Sequence, residues 1–263
     1  MKRKKQNIMF AFLCGAMLSS ILLSGCGESK EAKTARLQGI ASLESENYEE
    51  AHALFEQALA ASDGVVDAFE LDLLKYRGET EYRMEDYAAA AHTYGILAEV
   101  DEGKAEYLYY KAAAEAQAGD AEQGLADYEK AGTMENGEEA TGAKLALSAV
   151  AEAVRAAGNT QQAIALCQKA LERDSSDPML YSQMAICQME AGDGEEAIRY
   201  LEEGLTASGE EDGEVKAALQ YNLGAAYEYQ GDFAKALETF KTYAASYGET
   251  PELQKEIAFL ESR

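Results

Sequence analysis

The sequence predicts an all-α protein in which pairs of helices stack on one another into an elongated solenoid. The first of two observations is that small residues recur at alternating spacings of 39 and 34 residues, so that the pattern repeats with every second unit. An aromatic or apolar residue follows each of them four places later. Such a period is typical of stacked helical units. The small residues are Ala51, Ala90, Gly124, Ala163, Ala197 and Ala236, followed by Phe55, Tyr94, Tyr128, Cys167, Leu201 and Phe240.

The second observation is the helical spacing of apolar residues on both sides of a short break, which is clearest in the last unit. Leu219, Leu223 and Ala226 fall on one face of a helix, and a second apolar stripe starts at Phe233, directly after Gly231-Asp232. Glycine readily ends a helix, and Asp or Asn caps the next one. The other breaks are Glu46-Asn47, Glu85-Asp86, Gly119-Asp120, Gly158-Asn159 and Gly192-Asp193. We expect capping boxes at Asn47, Asn159 and Asp193.

The residues of these units resemble tetratricopeptide repeats over residues 32–247. The final unit carries the resemblance best, through Leu223, Gly224, Tyr227, Gly231, Ala236 and Phe240, and the first carries it through Gly39, Tyr48, Ala51, Phe55 and Ala58. The resemblance implies a right-handed superhelical solenoid of about six helix–turn–helix units. Residues 248–263, opened by Thr250-Pro251, are expected to form a C-terminal capping helix.

The chain differs from the family in the length of alternate units. Tetratricopeptide repeats usually span about 34 residues. The longer of the two alternating steps therefore inserts extra residues into every second connection. We expect these insertions to lengthen the first helices within 65–83, 138–157 and 211–230.

The N-terminus reads as a bacterial lipoprotein signal. Four basic residues at positions 2–5 precede an apolar run over 8–23, which ends in Leu23-Ser24-Gly25-Cys26. This ending resembles a lipobox, which implies removal of residues 1–25 and lipidation of Cys26, with residues 26–31 as a short tether. The chain is then expected at the extracytoplasmic face of a bacterial membrane, the cell membrane being preferred to an outer membrane. A plain signal peptide and an uncleaved anchor are the alternatives.

Composition restricts the classes of partner. The chain has 48 acidic and 23 basic residues and a formal net charge of −25, so its surface repels nucleic acid and anionic lipid headgroups and favours a monomer. Cys167 and Cys187 fall at apolar helix positions, where buried free thiols are favoured and a bridge between neighbouring units is the alternative.

The sequence offers no constellation for catalysis. The two histidines, His52 and His92, have no metal-ligand spacing around them, and no nucleophile elbow or phosphate-binding glycine loop is present. We therefore expect a protein that is not an enzyme and that binds no cofactor or metal.

The resemblance also implies a concave groove lined by the first helix of each unit. Transferred residue by residue, its lining is Arg36, Lys75, Tyr82, Arg83, Tyr109, Arg155, Met179, Ile186, Met189, Tyr221 and Tyr229. Apolar residues with basic spots inside an acidic shell indicate a trough for a peptide or a helix. The alternative is that these side chains belong to the core or its rim.

The leading functional hypothesis is a membrane-tethered scaffold or adaptor that binds another envelope protein in this groove. The alternatives are a receptor for cell-wall fragments or peptides, and a structural assembly factor that acts through the convex face.

Overall fold

The computed structural model describes residues 28–62, 66–210 and 212–263. These ranges contain thirteen α-helices, one short 3₁₀ helix and no strand, which confirms the all-α prediction. The predicted signal peptide and Cys26 lie outside the described residues. The α-helices are α1 (Lys30–Glu44), α2 (Tyr48–Ala60), α3 (Ala68–Arg83), α4 (Tyr87–Val100), α5 (Ala105–Gln117), α6 (Ala121–Gly132), α7 (Ala143–Ala156), α8 (Thr160–Arg173), α9 (Pro178–Ala191), α10 (Gly194–Ala207), α11 (Gly213–Tyr229), α12 (Phe233–Tyr247) and α13 (Pro251–Glu261).

The helices pack in the order of the chain, each on the next. The six pairs are α1–α2, α3–α4, α5–α6, α7–α8, α9–α10 and α11–α12, and α13 packs on α12 as the expected final helix. First helices of neighbouring units also touch, as α5 touches α7 and α9 touches α11. The predicted solenoid of six helix pairs and a terminal helix is confirmed. Among the described residues, no helix is both long enough and apolar enough to cross a membrane.

In three of the pairs, a glycine of the first helix meets an aromatic ring of the second. Phe240 of α12 is buried against Gly224 of α11, where a Cβ atom on the glycine would lie 2.7 Å from the ring. Gly39 meets Phe55 at the same distance, and Gly78 meets the ring of Tyr94 at 2.9 Å. A methyl group does not fit under these rings, so the two positions constrain each other.

The turns inside the pairs share a left-handed backbone at the residue that ends the first helix. Glycine occupies this position at Gly119 and Gly231, with φ of 93° and 78°. In the first two units Glu46 and Glu85 adopt it, with φ of 60° and 62°. A residue with a Cβ atom pays a steric cost there that glycine does not.

The predicted capping boxes do not form. The Asn47 and Asn159 side chains cap nothing, whereas aspartates at the equivalent turns accept a hydrogen bond from the backbone three residues on. A carboxylate interacts more favourably than an amide with the positive end of a helix. At Asp193 only half of the box forms, because Glu196 binds Arg199.

A capping box does form at the start of α3, between Asp67 and Glu70.

The longer steps lengthen two of the three first helices that follow them. Helices α3 and α11 have 16 and 17 residues, against 13 in α5, as expected. The expectation is wrong for α7, which has 14 residues. There the extra residues form the 3₁₀ helix Gly137–Glu139 and a turn in which Gly142, with φ of 89°, delays the start of α7.

Gly224→Ala tests the contact between the glycine and the ring. We expect the free energy of unfolding to fall by about 1–3 kcal/mol, because the new methyl group must displace Phe240. Chemical denaturation measures this. The control is Gly213→Ala on the same helix, where nothing lies within 4 Å of the added carbon and no loss is expected. Equal losses in both variants would contradict the steric account.

Glu46→Gly tests the strained turn. The substitution should raise the free energy of unfolding by about 0.5–1 kcal/mol, because glycine adopts the left-handed conformation without the Cβ clash. Glu46→Ala removes the same charge but keeps the Cβ atom, and we expect no such gain from it. The two thermal unfolding curves, measured side by side, separate the backbone effect from the charge effect.

Candidate partner-binding face

The surface formed by the first helices of the units and by α13 is called here the first-helix face. It corresponds to the groove that the repeat resemblance implies. The structure places two of the expected groove residues in the core, because Tyr82 is 6% exposed and Tyr109 is 2% exposed. Tyr82 packs edge-on against Tyr87 with ring centroids 5.2 Å apart, and Tyr109 packs against Tyr128 at 5.5 Å. These two rings support the fold and present little surface to a partner.

The expected basic spots at the N-terminal end of this face are engaged within the fold. Arg36 of α1 donates to Asp72 of α3 across 2.6 Å and lies over the ring of Tyr76. Lys75 of α3 pairs with Glu106 of α5 at 3.7 Å and lies over a second tyrosine ring. Each base therefore binds a carboxylate and a ring supplied by the next unit.

The remaining two bases are also paired. Arg83 contacts Glu79 one turn earlier on α3 at 3.4 Å, and Arg155 of α7 pairs with Glu190 of α9. All four predicted basic residues thus form an ion pair within the chain.

The C-terminal end of the face is apolar. Met179, Ile186 and Met189 of α9 are half-buried. Tyr221 and Tyr229 of α11 are 41% and 63% exposed. Exposed aromatic side chains beside half-buried aliphatic ones form a surface suited to an apolar side chain of a partner.

Tyr221 is held rigidly in this apolar region. Its ring packs against Phe240 at 5.4 Å and against Tyr243 at 5.5 Å. Burial raises the pKa of Tyr221, and the negative charge of Glu256 raises it further. Burial also raises the pKa of Glu228, which Glu256 again increases. The rings thus lie in a region of concentrated negative charge.

A cleft of about 370 Å³ lies between α5 and α7, in the middle of the face. Its walls are mostly small side chains, including Ala116, Ala149, Ala153 and Ala156. The sequence analysis missed this cleft, although the dense alanines of α5 and α7 are the signal that could have revealed it. Because alanine side chains are short, α5 and α7 leave a space between them at this place.

The interior of the second and third units carries charged networks that the sequence analysis did not anticipate. In the second unit Glu81 accepts a hydrogen bond from Thr93 at 2.5 Å and contacts Arg77 and His52. In the third unit, Lys111, Glu115 and Asp127 occupy the positions of Arg77, Glu81 and Thr93 and form a similar network. Among the described residues no group of His, Cys, Asp or Glu is arranged to hold a metal ion.

The network of the third unit joins Lys111, Glu115 and Asp127. Burial raises the pKa of Glu115 to about 7. Burial acts to raise the pKa of Asp127, but the hydrogen bond and charge of Lys111, together with the hydrogen bonds of Gln123 and Glu115, outweigh it and hold this pKa below its usual range. Both networks join the first and second helices of their unit and so contribute to the packing of the pair.

The two cysteines are buried and free, as the sequence analysis favoured. The hydrogen bond from Cys167 to Cys187 raises the pKa of Cys167, and burial adds to this. The pair therefore consists of thiols packed between α8 and α9, without a covalent bridge.

These observations define a class first: a helical-repeat protein built of stacked helix pairs. Models of tetratricopeptide repeats match residues 77–136, 146–179 and 176–249, which together span more than half of the chain. The chain is therefore a tetratricopeptide repeat protein. Its fold is that of a protein–protein interaction scaffold, and proteins of this family are in general not enzymes.

Solved structures share this fold at low sequence identity. PilW, described as a widely conserved type IV pilus biogenesis factor, has a TM-score of 0.66 at 15% identity, covering 86% of this chain and 98% of its own. A tetratricopeptide repeat protein from Parabacteroides merdae has a TM-score of 0.61 at 16% identity, covering 88% and 84%. PilF from Pseudomonas aeruginosa has 0.60 at 14%, covering 89% and 98%. No curated protein sequence matches the chain significantly.

Glu115→Gln tests the buried network through its pH dependence. The raised pKa means that Glu115 contributes stability that is complete below its unfolded-state value of 4.5 and is lost as the pH rises through about 7. The variant should lack this loss and so be more stable than the parent above pH 7, by about 1–2 kcal/mol. Urea unfolding at intervals across this window measures the difference. Glu129→Gln, on the exposed side of α6, is the control and should leave the pH profile unchanged.

Proposed function

We propose that this protein is a membrane-anchored scaffold or adaptor that holds a peptide or helix of another envelope protein on its first-helix face. The observation that carries the proposal is the pair of exposed aromatic side chains on α11, Tyr221 and Tyr229. Exposed aromatic residues on a rigid helical surface are typical of binding energy concentrated in a few side chains. The proposal includes no catalytic step, because the described residues offer no group placed for one.

The anchoring part of the proposal rests on the sequence around Cys26. A lipidated cysteine followed by a tether of a few residues would hold the repeats close to the extracytoplasmic face of a bacterial membrane. Two or more acyl chains anchor stably, whereas one chain binds only marginally. Metabolic labelling with a fatty-acid analogue tests it: the parent should carry the label in the membrane fraction, and Cys26→Ser should lose the label. An unlabelled parent would refute the anchoring without affecting the binding proposal.

The scaffold role is tested by selecting peptides from an unbiased displayed library on the full chain and measuring their affinity for variants. Tyr229→Ser should weaken a selected peptide about tenfold, because it removes an aromatic contact from the binding surface. Tyr247→Ser is the control, since it removes a tyrosine that is 39% exposed from α12, a second helix outside the first-helix face. It should leave the affinity unchanged.

The competing functions give different results in the same assay. Peptides that lose affinity only on substitution of second-helix residues would indicate an assembly factor that uses the convex face. A library that yields no binder, together with tight binding of a cell-wall fragment in thermal-shift screening, would indicate a receptor.

A further inference from the structure

The two cysteines of the repeats lie together where the fourth unit meets the fifth. Cys167 is on α8 and Cys187 is on α9, and these two helices pack directly against each other. Both side chains are buried, at 0% and 1% exposure. The thiol of Cys167 donates a hydrogen bond to the sulfur of Cys187. Sulfur atoms in contact across two packed helices need only a small shift to form a disulfide.

The apolar packing around Cys167 gives the same placement independently. Cys167 lies in a small buried cluster with Ala151 of α7 and Met184 of α9. Met184 is about one turn before Cys187 on α9, so the two residues share a face of that helix. Cys167 therefore packs against the side of α9 that carries Cys187.

Both cysteines depart from the repeat pattern. At the position of Cys167 the other units carry a ring or a leucine, and at the position of Cys187 they carry alanine or threonine. The residues are Phe55, Tyr94, Tyr128, Leu201 and Phe240 at the first position, and Ala41, Thr80, Ala114, Ala153 and Ala226 at the second. The two departures thus face each other across a single interface between units.

The surroundings make the two sulfurs chemically unequal. The hydrogen bond from Cys167 lowers the pKa of Cys187, and the positive charge of Arg155 lowers it further, against burial and the charge of Glu190, which raise it. The same hydrogen bond and burial raise the pKa of Cys167. Because the thiolate is the form that attacks a disulfide, Cys187 is the sulfur that reacts first.

We propose that Cys167 and Cys187 are a modification site that reacts with a disulfide-bearing oxidant and closes to an intramolecular disulfide between the fourth and fifth units. The Cys187 thiolate attacks the S–S bond of the oxidant, which forms a mixed disulfide and releases one thiolate. Cys167 then loses its proton and attacks the Cys187 sulfur, which releases the second half of the oxidant. Two thiols of the protein lose two electrons and two protons, and the oxidant becomes two thiols.

The burial of both sulfurs determines when the exchange takes place. An oxidant reaches Cys187 before α9 closes on α8 during folding, or when the two helices separate locally. Oxidants of this kind act outside the cytoplasm, in the compartment where the proposed lipid anchor would hold the chain. The bond would fix α9, which carries Met179, Ile186 and Met189, to the fourth unit.

Refolding of the full chain in a mixture of reduced and oxidised glutathione tests the proposal. After alkylation and tryptic digestion, mass spectrometry identifies the linked peptides, because Lys169 and Arg173 lie between the two cysteines and place them in different peptides. We expect the linked pair to predominate and to disappear after treatment with dithiothreitol. Recovery of both cysteines as alkylated thiols, or as separate glutathione adducts, would overturn the proposal.

Single variants test the order of the two steps. Cys167→Ala should retain glutathione on Cys187, because the thiol that resolves the mixed disulfide is gone. Cys187→Ala should carry about tenfold less glutathione on Cys167, whose thiol is harder to ionise. Equal labelling of the two variants would contradict Cys187 as the first sulfur to react.

Thermal unfolding shows whether the bond forms in the native arrangement. The oxidised chain should unfold about 5–10 °C above the reduced chain, because the bond restricts the unfolded state. The control, Cys167→Ala with Cys187→Ala, should unfold at one temperature in oxidising and reducing buffer. Equal unfolding temperatures for the oxidised and reduced parent would contradict a bridge at this interface. None of these measurements involves a binding partner, so the scaffold role is tested separately.

Discussion

The structure depends on one contact that recurs inside the helix pairs: a bulky side chain of the second helix pressed against a residue with little or no side chain on the first. Where the ring is large, as in Phe55, Tyr94 and Phe240, the opposing residue is glycine. In the fourth unit Cys167 takes the place of the ring, and the first helix carries Ala151. In these four units the volumes of the facing residues change together.

Contacts between units are of a different kind at the two ends of the chain. At the N-terminal end, ion pairs and cation–aromatic contacts such as Arg36 with Asp72 join neighbouring first helices. At the C-terminal end, apolar side chains of α10 and α11, such as Leu201 and Leu219, lie in one buried cluster that joins the fifth and sixth units. A solenoid gains its stability from such nearest-neighbour contacts.

The helix pairs could be predicted from the sequence because the contacts within each pair join residues that are close in the sequence. The small and aromatic residues that define it lie close together in the chain, as Gly224 and Phe240 do, and a helical period places them on facing sides. The late start of α7 was not predictable in this way. It depends on Gly142 and a 3₁₀ helix, whose backbone geometry leaves no periodic trace in the sequence.

The candidate site was harder to predict, because the exposure of each groove residue depends on the helices packed around it. Tyr82 and Tyr109 occupy positions that face the groove in the family, but the next helices cover them. The pairing of Arg36 and Arg155 was recognisable in principle, since their partners Asp72 and Glu190 lie about one repeat further on. A pairing of opposite charges at this spacing would predict both ion pairs from the sequence.

The alternation of long and short units determines the smallest segment that can be added to or removed from such a chain without disturbing the stacking. Removing or duplicating one unit would place a long connection beside another long one and misalign every later helix with its neighbour. A change of two whole units preserves the order, as the equivalence of Lys75 with Tyr221 and of Glu106 with Glu252 illustrates. Two units together are therefore the module that evolution or a protein engineer would exchange as a whole.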